Sequence, residues 1–91
     1  MAEHIVEGRV RAVESRFELA APRIIERWLA VGAVAVSPAD LRVAQEFLEQ
    51  AGWKVQRSFG GLVRVTNRQG HAQEMSREDV VLMAIRRLAK R

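Results

Sequence analysis

The residue types that carry catalytic chemistry are sparse here and do not converge. His4 and His71 stand apart, with no Cys, His or carboxylate at metal-ligand spacing. The serines Ser15, Ser37, Ser58 and Ser76 have no His and acid pattern near them, and Ser37 and Ser76 are accounted for as helix caps. Gly60-Gly61 joins two strands rather than a strand to a helix, so it is neither a phosphate loop nor a dinucleotide fingerprint. With no cysteine in 91 residues, disulfides, thiolate metal sites and cysteine nucleophiles are excluded. The reading is of a protein that is not an enzyme, with no catalytic residue, no metal and no cofactor.

What the sequence offers instead is a row of donors. Strand alternation places Lys54, Gln56, Arg64 and Thr66 on one face of a hairpin, with Arg68 continuing the run. No acid interrupts it, which suits a phosphate backbone; a solvated sheet face kept cationic against edge pairing has the same pattern. Arg57 falls by alternation on the apolar face with Trp53 and Val55, near enough to the turn to reach solvent. Phe59 at the tip either stacks on a base or wedges into a partner, or is buried against the last helix. Trp28 and Trp53 sit on apolar stripes and read as core.

The elements that must position these residues follow from periodicity. Val6, Val10, Val13, Phe17 and Ala20 form one helical stripe, and Pro22 marks a break into a second short helix carrying Ile24, Ile25, Trp28 and Leu29. Gly32 ends it. Ala33 to Val36 reads as a buried turn or a very short strand. Ser37-Pro38-Ala39-Asp40 is a capped helix start, and Leu41, Ala44, Phe47, Leu48 and Ala51 give that helix its buried face. After Gly52 the period changes to two over Trp53 to Ser58 and Leu62 to Asn67, with Gly60 and Gly61 in the turn. Asn67 to Met75 reads as a loop, and Ser76-Arg77-Glu78-Asp79 caps a last helix with Val81, Ala84, Ile85 and Leu88 inward. The expected architecture is α+β: helix, helix, helix, β-hairpin, helix. It is one domain over 1–91, with an N-terminal helix at 1–21, a helical core at 22–52, the basic hairpin at 53–68 and a C-terminal helix at 76–91.

The formal charge of +4, from 15 Lys and Arg against 11 Asp and Glu, is unevenly placed. Residues 1–36 balance to zero, 37–52 carry −2, 53–68 carry +4 with no acid, and 69–91 carry +2. The excess therefore belongs mainly to the hairpin. The longest apolar stretch, Trp28 to Val36, falls well short of the ~20 residues of a bilayer span, and the first residues are too charged for a signal peptide. A cytoplasmic location and no membrane partner are the expectation.

The run from Ser37 to Trp53, followed by a basic strand, Gly60-Gly61 and a second strand, resembles the recognition helix and wing of bacterial winged-helix regulators, most of all the GntR-like kind. The resemblance covers about a third of the chain. It implies a winged-helix-like fold in which helix 38–51 enters the DNA major groove, with Arg42 and Gln45 as its base readers, while the hairpin touches flanking backbone. The order helix, strand, strand, helix also resembles small double-stranded-RNA-binding-type folds, including HicA-like toxins. Where those carry a catalytic histidine after the hairpin glycine, this chain has Leu62, so that activity is not carried over.

The leading expectation is a DNA-binding protein, a small transcriptional regulator of bacterial or phage type, contacting DNA through Arg42, Gln45, Lys54, Gln56, Arg57, Phe59, Arg64, Thr66 and Arg68. The alternative is a non-enzymatic inhibitor, of phage or mobile-element anti-defence type, that docks the basic hairpin on an acidic or nucleic-acid-binding protein surface. RNA is a third option if Phe59 is exposed beside the cations. The first and last helices carry more apolar face than the second and third helices plus a two-stranded sheet can cover, which predicts a homodimer through one or both.

Overall fold

Phe17, Ala20, Ala21 and Ile24 recur at helical spacing and are buried, with Trp28 packed against the same cluster. The structure, a computed structural model, describes residues 2–32 and 36–90, with side chains from residue 16 onward. His4, Val6, Val10, Val13 and Ser15 thus lie outside the described side chains, and the question of a strand at 33–36 lies outside the described residues except for Val36, which packs on the core.

Helix α1 runs from Ala2 to Val31 with Pro22 inside it. The expected break at Pro22 does not occur, and the second short helix is the continuation of the first. A proline within a helix costs about 3 kcal/mol. Complete burial of Phe17 and Ile24 contributes roughly 1.5–3 kcal/mol for each. Pro22 is itself exposed, so its ring meets water rather than a packed neighbour. Apolar burial on both sides of the proline therefore carries the helix through it.

Helix α2 spans Pro38–Gln50 and begins as the sequence predicts. The Asp40 amide donates to Ser37 Oγ at 3.1 Å, and the Ser37 amide donates to the Asp40 carboxylate at 3.3 Å. The same carboxylate is buried and accepts from the Arg27 guanidinium, which fastens the end of α1 to the start of α2. Arg27→Met should leave that carboxylate with the Ser37 amide alone among the described residues. The expected cost is about 1–3 kcal/mol, read as a lower urea midpoint at unchanged m-value.

Gly52, at φ 94°, turns the chain out of α2, and the Trp53 amide donates to the Leu48 carbonyl. Strands β1 (Lys54–Arg57) and β2 (Val63–Thr66) pair antiparallel with Val55 opposite Val65 and Gln56 opposite Arg64. Between them Phe59–Leu62 forms a tight turn in which the Leu62 amide donates to the Phe59 carbonyl at 3.3 Å. Gly60 and Gly61 have φ of 67° and 80° with open space where a Cβ would stand, so dihedral and not room demands glycine.

The segment expected as a loop contains a third strand, β3 (Ala72–Met75), paired antiparallel with β2. Its Ala-Gln-Glu-Met has no β-branched or aromatic residue, and Met75 alone is buried. Pairing is set up by the preceding turn, where the Asn67 side chain accepts from the amides of Gln69 and His71. Helix α3 (Arg77–Ala89) follows, capped by Ser76. Among the described residues the fold is thus α+β, three helices and one antiparallel sheet of order β1-β2-β3. Val55, Val63, Val65 and Met75 form its inner face, against which Ala44, Phe47 and Leu48 of α2 and Val80, Val81 and Ala84 of α3 pack. No described helix is long and apolar enough to cross a membrane.

Candidate nucleic-acid interface

Three elements meet at one end of the sheet. The first turns of α2 supply Pro38, Leu41, Arg42 and Gln45, the β1–β2 hairpin supplies Gln56, Arg57, Ser58, Gly61, Leu62 and Val63, and the first turn of α3 supplies Arg77. Together they line a groove of about 660 Å³. Its three charged lining residues are Arg42, Arg57 and Arg77, all exposed, and no acid lines it. Both α2 and α3 begin there, so the positive ends of two helix dipoles add to the arginines.

The expected site residues divide into two sets. Arg42, Gln45, Gln56 and Arg57 share the groove, and Arg57 does reach solvent from the apolar face of the strand. Lys54, Arg64 and Thr66 lie on the other face of the sheet, and Gln56, paired with Arg64, alternates onto that face while bordering the groove at the hairpin end. Arg68 is exposed beyond β2, its stem beside Gly52, where a Cβ would meet it at 3.3–3.4 Å. Phe59 is 92% exposed, so its burial against the last helix is excluded.

The outer face is not the acid-free row that the hairpin alone suggests. β3 places Glu74 opposite Arg64, whose guanidinium donates to Glu74 Oε1 at 3.0 Å. The Ser58 hydroxyl donates to the same oxygen. The Ser58 hydroxyl first and Arg64 second hold the Glu74 carboxyl below the usual carboxylate range. Arg64 is therefore an ion-paired surface residue rather than an open phosphate ligand.

On α2, Glu46 and Glu49 are placed away from the groove. Glu46 is ion-paired to Arg16 of α1, and Glu49 is exposed outside the groove lining. Arg77 is the residue the sequence reading missed. Its signal was available: a cation in the first turn of a helix opposes the dipole, and Ser76-Arg77-Glu78-Asp79 holds one there. Among the described residues no group of His, Cys, Asp or Glu has the placement to hold a metal.

Comparison of the chain with protein-family models, curated proteins and solved structures finds no match.

Proposed function

We propose that this chain is a non-enzymatic nucleic-acid-binding protein, a small regulator by role, that holds the sugar-phosphate backbone of duplex DNA in the groove between α2 and the hairpin. The observation that carries the reading is the convergence of Arg42, Arg57 and Arg77 from three elements on one groove without an acid. Guanidinium forks match phosphate oxygens, and Gln45 adds a neutral donor beside them. The hairpin stands alongside the polar face of α2, so the helix meets its ligand from within a concave surface. Backbone contact is favoured over deep base reading by such a surface, with Arg42 as the residue best placed for a base edge.

Duplex RNA is the second reading, favoured by Phe59 at 92% exposure two residues from Arg57 and by the helix, three strands, helix order from α2 to α3. Anisotropy titrations with DNA and RNA duplexes of one sequence separate the two. Duplex DNA should bind at low salt, about fivefold more weakly in Arg57→Ala at roughly 1 kcal/mol per exposed ion pair. Arg64→Ala should change binding less than about twofold, since its charge is already met by Glu74. Tighter binding of RNA, lowered by Phe59→Ala, selects the second reading, and binding of neither duplex overturns both.

A further inference from the structure

A second cationic hollow lies at the opposite end of α3, and none of the groove arginines lines it. Its floor is the half-buried Trp53 with Met83 beside it, and its walls are Arg86, Arg87 and Lys90, in about 350 Å³. No acid lines it. Trp53 is held in place by its amide's bond to the Leu48 carbonyl at 3.1 Å, directly after the Gly52 turn. Met83, Arg86, Arg87 and Lys90 recur at helical spacing over the last turns of α3 and so present one stripe to the indole. Arg68 passes beside Gly52 and brings a fourth cation to the same end of the sheet.

This combination selects for one kind of ligand. A free anion has no use for an indole and a thioether, and a neutral aromatic has none for three cations. A nucleotide unit uses both: its base stacks on an aromatic face, a contact worth about 1–3 kcal/mol per base. Its phosphate meets two guanidinium forks and an ammonium. The volume lies at the small end of the ~300–1,000 Å³ that ligand sites occupy. We infer that Trp53, Met83, Arg86, Arg87 and Lys90 form a nucleotide-binding site, with the base on Trp53 and the phosphate on the α3 cations. The nucleotide is either free or the unpaired end of a strand. The site stands independently of the duplex groove.

The test is a chemical-shift titration of the whole chain with adenosine monophosphate. Saturable shifts should be confined to Trp53, its indole N–H and the last turns of α3. Adenosine alone and inorganic phosphate alone should each bind at least about tenfold more weakly, the loss expected when one of two contacts is removed. Arg86→Gln with Lys90→Gln, both exposed positions, should abolish the shifts, whereas Arg42→Ala with Arg57→Ala should leave them intact while weakening duplex binding. A short single strand that binds more tightly per nucleotide identifies a strand end as the source; equal affinity identifies the free nucleotide. The inference is overturned by shifts that do not saturate, by inorganic phosphate matching the mononucleotide, or by binding that survives in the Arg86, Lys90 variant.

Discussion

Phe17→Ala is expected to destabilise the chain by about 3–5 kcal/mol, the usual cost of deleting a fully buried phenylalanine. Phe17 is completely buried and its ring stacks on Phe47 at 4.9 Å between centroids, with 26° between planes. This aromatic contact joins α1 to α2. Each kcal/mol shifts the melting temperature of a domain this size by roughly 4–8 °C. A total stability of about 5–15 kcal/mol leaves little reserve against such a loss. Thermal unfolding followed by circular dichroism reads the result directly. A shift of only a degree or two would show that the end of α1 is not part of the core and that helix continuity through Pro22 has another cause. Leu19→Ala, on the same helix at 74% exposure, is the control and should change stability by less than about 0.5 kcal/mol.

The largest functional effect belongs to the groove. Removal of Arg42, Arg57 and Arg77 together should weaken duplex binding about a hundredfold, from roughly 1 kcal/mol for each exposed arginine-phosphate contact. All three side chains are exposed and none is in a described ion pair, so the melting temperature should stay close to that of the native chain. The pairing of unchanged stability with lost affinity separates a binding role from a structural one. A triple variant of Lys54, Arg64 and Arg68 should lose far less, because these residues neither line the groove nor share one face with it.

What was legible in the sequence was local. Ser37 and Asp40 form the capping box from their own spacing, Gly60 and Gly61 set the hairpin turn by dihedral, and the alternation of Val63, Arg64, Val65 and Thr66 gives the two faces of β2. What was not legible depends on residues distant in the chain. The helix through Pro22 is held by burial against α2, which no window around Pro22 contains. β3 has almost no intrinsic strand preference and exists because β2 offers an edge at the distance its turn allows. That missed strand has two consequences. Met75 widens the roof over the helices, where Val80, Val81 and Ala84 of α3 are buried, and among the described residues the large apolar side chains left exposed are Leu19, Ile25, Leu29 and Val31 on α1 and Phe59 and Leu62 at the hairpin tip. Glu74 meets Arg64, which removes the outer hairpin face as an acid-free row.

Of the nine expected site residues, Arg42, Lys54, Gln56, Arg57, Arg64 and Arg68 are exposed donors, Gln45 and Thr66 are half-buried, and Phe59 is an exposed ring without a donor. Strand alternation already sets Arg57 apart from Lys54 and Arg64. The register keeps them apart, and the groove joins Arg57 to Arg42 from α2 and Arg77 from α3. Asp40 is the converse case. The sequence assigns it a cap, whereas the fold also gives it Arg27 across a buried contact.

The most direct test of the central claim is the salt dependence of duplex binding by the native chain and by the Arg42, Arg57, Arg77 alanine variant. Three groove arginines, each neutralising one phosphate, predict that log affinity falls with log salt at a slope of about −2.7, or roughly fortyfold between 50 and 200 mM. In the triple variant the slope should fall close to zero. A native slope that the triple variant leaves unchanged, or no duplex binding at low salt, would contradict the assignment and leave the basic groove to an acidic protein surface.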